Sequence, residues 1–222
     1  ETLAHVALIA RHGASWFREL GTEEHPGTAL LTLGGAVARP GVYEIALGTP
    51  ANELVGPAHT LRALLVGGYY GAWLPPEAIG RVRLDNASLG RWGATLGAGV
   101  VVALPAGACP VAEVARVVGW MAGESAGQCG PCVHGLGAIA AALGSVQAGT
   151  AAGEVFGLLR RWGDQVDGRG ACGHPDGVVR FVRSALDVFA EEFEDHRRHG
   201  PCDACDRRPV LAVPGVRGRL AA

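Results

Sequence analysis

The stretch Glu124-Ser125-Ala126-Gly127-Gln128-Cys129-Gly130-Pro131-Cys132 places two cysteines, with two residues between them, on a turn kinked by glycine and proline. A helical pattern follows it. Thiolates at that spacing on a tight turn converge on one point, which is what an iron–sulfur cube requires. A third cysteine, Cys172, sits in a second tight turn, Gly170-Ala171-Cys172-Gly173-His174-Pro175. A 4Fe–4S cluster normally takes four ligands. The lack of a fourth cysteine beside these three is therefore as informative as their presence.

The segments around these turns read as helices. Pro110 opens one that carries Val111, Val114, Val117, Val118 and Met121 at helical spacing. A second presents Leu136, Ile139, Ala140, Leu143 and Val146, and a third Val155, Leu158, Leu159, Trp162 and Val166. In the fourth, capped by Asp176, Val178, Phe181, Val182, Ala185, Phe189 and Phe193 face inward, with Arg180, Arg183, Asp187, Glu191 and Glu194 outside. Short connections between amphipathic helices imply an antiparallel four-helix bundle. The Cys129/Cys132 turn joins helices one and two, and Cys172 lies between three and four. In an up-and-down bundle both connections fall at the same end, so the topology gathers the three thiols.

Before Pro105 the period is different. Residues 3–20 read as a helix with Leu3, Val6, Ala7 and Ala10 on one face, weakened at Gly13. Thr28 to Leu33, Val42 to Leu47, Leu61 to Val66, Arg81 to Leu84 and Gly99 to Leu104 are strand candidates, with Ala38-Arg39-Pro40-Gly41 as a turn. Thr49 is expected to cap a short helix that begins at Pro50. Gly67-Gly68-Tyr69-Tyr70-Gly71 reads as a structural turn, with ligand or subunit contact as the alternative. Strands with one short helix in about eighty residues suit a β-grasp module.

Composition narrows the function classes. The 222-residue chain is 49% hydrophobic, enough for one large or two small cores. Its net charge is −2 and all 19 of its basic residues are arginine, which gives no electrostatic case for nucleic acid. No apolar run approaches a membrane span, and six cysteines without a signal peptide argue for the cytoplasm. With Met121 as its single methionine, the chain is expected to be a fragment or a processed product. No glycine-rich phosphate loop precedes a helix in a βαβ setting, so no dinucleotide site is visible.

These residues carry a resemblance. Glu-Ser-Cys-Gly-x-Cys-x-Pro-Cys, then 39 residues, then Cys, is the cluster motif of the NADH-binding flavoprotein subunit of respiratory complex I and its relatives in soluble hydrogenases and formate dehydrogenases. Glu124, Ser125, Gly127, Cys129, Pro131, Cys132 and Cys172 match it, and 39 residues separate Cys132 from Cys172. Ala126 stands where the motif has its first cysteine, and Val133 and His134 replace its usual Arg-Glu. Upstream, Glu1-Thr2-Leu3-Ala4-His5 resembles the end of the family's flavin domain. Gly34 to Glu44 resembles the start of its ubiquitin-like β-grasp (SLBB) domain.

The resemblance implies an α+β chain in four parts. These are a helical segment over 1–26, an SLBB β-grasp domain over 27–105, a four-helix iron–sulfur bundle over 106–199 and a Cys-x-x-Cys tail over 200–222. It implies electron transfer through a 4Fe–4S or 3Fe–4S cluster held by Cys129, Cys132 and Cys172. FMN and NADH would belong to a missing or partner flavin domain, and a second iron–sulfur protein would take the electrons. No complete active site is expected within the chain. The expected location is cytoplasmic, at most peripheral to a membrane complex. The alternative is a non-redox binding or assembly scaffold with a decayed site.

The missing donor has several candidates in the sequence: His174, His134, Cys202 and Cys205. Cys202 and Cys205, with His196 and His199, also read as half of a zinc knuckle, a second cluster site, a redox dithiol or a free-thiol tail. Cys109, alone before Pro110, reads as a small buried apolar residue.

Overall fold

The computed structural model describes residues 2–214, and the chain divides into two compact units, one ending at Ala106 and one beginning at Gly107. Glu1 and residues 215–222, the end of the tail expected over 200–222, lie outside the described residues.

The first unit opens with α1 (Thr2–His12) and α2 (Ala14–Phe17). The single helix expected over 3–20 breaks at Gly13, and α1 buries none of its residues. Five strands follow: β1 (Thr28–Gly35), β2 (Gly41–Ala46), β3 (Leu61–Val66), β4 (Ala72–Leu74) and β5 (Val100–Pro105). Their order is β2-β1-β5-β3-β4, with β1 and β5 parallel and every other pair antiparallel. This mixed sheet has the β-grasp order. In β1, Leu31 and Leu33 are buried while Leu30 and Thr32 are exposed, the alternation of a sheet with one packed face. Leu31, Leu33, Leu64, Val66 and Val101 form a core with Val55 of α3 (Ala51–Val55), Ile79 of α4 (Pro76–Ile79) and Leu89 of α5 (Asn86–Gly90).

Local chemistry overrides two expectations here. The Thr49 hydroxyl donates to the Ala46 carbonyl (2.7 Å) instead of capping, and Pro50 takes the N-cap position of α3. Arg81 to Leu84 forms only an isolated bridge, Pro50 to Arg83. That segment is squeezed between two helices. Asp85 caps α5 by accepting from the Ser88 N–H (2.7 Å), and the Ser88 hydroxyl accepts from the Arg83 N–H (2.9 Å).

The second unit is an up-and-down four-helix bundle. Its helices are α6 (Pro110–Gly123), a π-helical turn (Pro131–Leu136) running into α7 (Gly137–Gln147), α8 (Val155–Val166), and α9 (His174–Val188) continued by α10 (Ala190–His199). The fourth helix is thus two pieces, joined at Phe189 where the backbone leaves helical geometry. Val178, Phe181, Val182, Ala185, Phe189 and Phe193 are all buried, and Phe193 meets Phe156 edge to face at 6.2 Å. Asp176 does not cap α9, which starts after Gly173. Its carboxylate instead accepts from the Gly168 N–H (2.9 Å) and braces the loop that carries Cys172. Among the described residues no helix is long and apolar enough to cross a membrane.

Gly71 offers a test of the first unit. A Cβ there would lie 1.8 Å from the Val66 carbonyl oxygen, within the turn that joins β3 to β4. Gly71→Ala should cost roughly 2–4 kcal/mol in urea unfolding. Gly90→Ala, in a helix with open space around its Cα, should be neutral or stabilising by up to about 1 kcal/mol.

Candidate metal centres

At one end of the bundle the two turns meet. The backbone N–H groups of Ala171 and Cys132 pull the pKa of Cys129 below the ordinary thiol value. Ala171 directly precedes Cys172, so this contact ties the third cysteine's turn to the first two. Cys132 is buried, and that burial pushes its pKa up, against a hydrogen bond from the Ser125 hydroxyl; it also senses the charges of Cys129 and Cys172. Cys172 is exposed. Its loop is held at the base by the Gly168–Asp176 bond and by Arg183, which pairs with Asp167 (2.5 Å) and Asp164 (2.6 Å).

Cys129 precedes the π-helical turn leading into α7, Cys132 lies within that turn, and Cys172 precedes α9. Soft sulfur donors from two loops, with backbone N–H groups aimed at one of them, fit a thiolate-held iron–sulfur group.

The proposed extra donors are dispersed. His174 hydrogen-bonds through Nε2 to the Met121 carbonyl (3.0 Å), which accepts from it, in the last turn of α6. His134 is exposed on the π-helical turn and lines a groove with Pro131, Trp162 and Arg169. Ala126 is exposed, its carbonyl accepting from the Gln128 amide (3.1 Å).

Cys202 and Cys205 lie at the other end, with Cys109 and His196. Cys109 precedes the fourteen-residue α6 while Cys129 follows it, so the length of that helix, about 21 Å, separates the two ends. Folding back of the tail onto Cys129, open from the sequence, does not occur. The four donor atoms of the second group lie within 4.8 Å of one another. His196 Nε2 is 3.3 Å from both Cys109 Sγ and Cys205 Sγ, Cys205 Sγ is 3.5 Å from Cys109 Sγ, and Cys202 Sγ is 3.8 Å from Cys205 Sγ. His199, grouped with the pair on sequence, is exposed and outside the set. Cys109, read as an inert core residue, is a member.

The fold and the cysteine turns fit an iron–sulfur-binding module. Residues 112–196 match the family model described as NADH-ubiquinone oxidoreductase-F iron-sulfur binding region. The chain is homologous to the F subunits of NADH-quinone oxidoreductases. It is 32% identical to the F subunit of Streptomyces coelicolor over 202 residues, covering 88% of this chain and 45% of that one. It is also 32% identical to the second F subunit of Rhizobium meliloti over 209 residues, covering 91% and 49%. The chain thus spans about half the length of these relatives. Among solved structures it resembles the NAD+-reducing [NiFe]-hydrogenase in the H2-reduced state, with a TM-score of 0.77 and 30% identity over 89% of this chain and 34% of that one.

The opposed shifts at Cys129 and Cys132 are measurable. In the reduced, metal-free protein near neutral pH, iodoacetamide should label Cys129 several-fold faster than Cys132, because a lower pKa means more thiolate. Site-resolved mass spectrometry against time checks this, and equal rates would refute the N–H bonding described.

Proposed function

We propose that the chain is an iron–sulfur electron-transfer module in which Cys129, Cys132 and Cys172 hold a 4Fe–4S or 3Fe–4S cluster. All three cysteines fall within the matched iron–sulfur binding region. The observation that carries the reading is that the two cysteine turns, one after α6 and one after α8, fall at the same end of the bundle within that region. When bound, such a cluster supplies one-electron transfer. The protein's own groups do the rest. Backbone N–H bonds to sulfur stabilise negative charge there and so favour the reduced state. Buried Cys132, with the Ser125 hydroxyl beside it, keeps water from one side.

Electrons would enter from a flavin-bearing domain or subunit and leave to another iron–sulfur protein. The relatives named as NADH-quinone oxidoreductase subunits, and the hydrogenase, support a place in a multi-subunit assembly. FMN and NADH would bind outside this chain. Such a module would work in the cytoplasm, peripheral to a membrane complex.

Ala126 sits where the motif's first cysteine stands, and it gives weight to the scaffold reading. Iron content separates the two. After anaerobic purification the chain should be brown and carry about three or four irons. Cys132→Ala should lose them, whereas Cys202→Ala, at the far end of the bundle, should keep them. A folded, colourless chain without iron would sustain the scaffold reading instead.

A further inference from the structure

We propose that Cys109, His196, Cys202 and Cys205 bind a structural zinc ion that fastens the chain after α10 onto the bundle. The inference does not rest on the iron–sulfur reading, since it uses different residues at the opposite end.

The donor spacing is that of a single ion. Zinc–sulfur bonds of about 2.3 Å and zinc–nitrogen bonds of about 2.0–2.1 Å set tetrahedral edges of roughly 3.8 Å between sulfurs and roughly 3.5 Å between sulfur and nitrogen. Four of the six donor–donor distances run from 3.3 to 3.8 Å, and all six lie within 4.8 Å. Three sulfurs and one imidazole make a closed Cys3His set, the composition of structural zinc sites; a catalytic site leaves one position open.

The histidine is oriented for the task. Its Nδ1 lies 2.8 Å from the Glu192 carbonyl, which can only accept, so Nδ1 carries the proton and Nε2 presents its lone pair to the sulfurs. This is the outer-shell bond that metal-binding histidines ordinarily make. His196 and Cys109 are both buried, and a buried imidazole beside three thiols gains little from packing alone.

The backbone is built to deliver the tail. Gly200 ends α10 at φ 83°, a left-handed turn, and a Cβ on Gly149 would come within 2.5 Å of the Gly200 Cα. Past the cysteines, the Arg207 guanidinium donates to the Gly107 carbonyl (2.9 Å). Buried Glu113, one turn into α6, accepts from the N–H groups of Val210 (2.7 Å) and Leu211 (3.0 Å) and pairs with Arg116. Leu211 and Val213 are buried. The four donors thus come from both sides of a seam between α6, α10 and residues 200–214.

The test uses the full chain, purified under reducing conditions from zinc-supplemented cells. Elemental analysis should give about one zinc per chain in the wild type and in Cys132→Ala. Cys205→Ser should lose it. Should Cys205→Ser fail to fold, Cys202→Ser changes an exposed residue. Cobalt(II) exchanged into the wild type should show thiolate charge-transfer and tetrahedral d–d bands, weakened and shifted in Cys202→Ser. Chelation should free the segment for tryptic cleavage after Arg207. No zinc, zinc retained in Cys205→Ser but lost in Cys132→Ala, or tryptic cleavage unaltered by chelation would each overturn the proposal.

Discussion

Antiparallel packing of four amphipathic helices fixes where every thiol of the second unit lies. Helices that alternate in direction have only two ends, and each connection must fall at one of them. The turn after α6 and the loop after α8 share one end, where the Ala171 N–H acts on Cys129. The start of α6 and the stop of α10 share the other, where Cys109 meets His196. Removing the buried aliphatic and aromatic contacts of Val114, Leu143, Leu159 or Phe181 would loosen both groups together, because neither has a local framework of its own.

The two ends treat sulfur differently. Around Cys129 the N–H groups favour ionised sulfur at a half-exposed rim. At the other end burial dominates at Cys109 and raises its pKa, while at Cys202, which is exposed, partial desolvation is outweighed and the pKa is lowered by the Ala204 N–H, by the neighbouring thiols and by His196. A shared rim suits a multi-atom group with bonds to several segments. A compact donor group with an oriented imidazole suits one small ion.

Most of the architecture was legible in the sequence, because hydrophobic period reports burial directly: the inward residues of the fourth helix, Val178 to Phe193, are all buried. Cap chemistry was less legible. Thr49 and Asp176 are good caps by type, but the Ala46 carbonyl and the Gly168 N–H claim their side chains. Of the second Cys/His group, Cys202, Cys205 and His196 were legible from their spacing, but Cys109 was missed although the same end-sharing argument applies to it. Cys109 precedes the first helix and Cys202 follows the fourth, so an up-and-down bundle must bring them together. Sequence spacing hid this, since 92 residues separate the two.

The π-helical turn over Pro131–Leu136 carries a wider ring of backbone than the α7 helix it feeds. Excising a single residue there would yield a straighter and more regular rod. It would also rotate everything upstream by about 100° relative to α7, swinging the Cys132 sulfur off the rim it shares with Cys172. The irregular turn therefore works as a phase adjuster, setting the angular position of a side chain at the cost of ideal helical geometry.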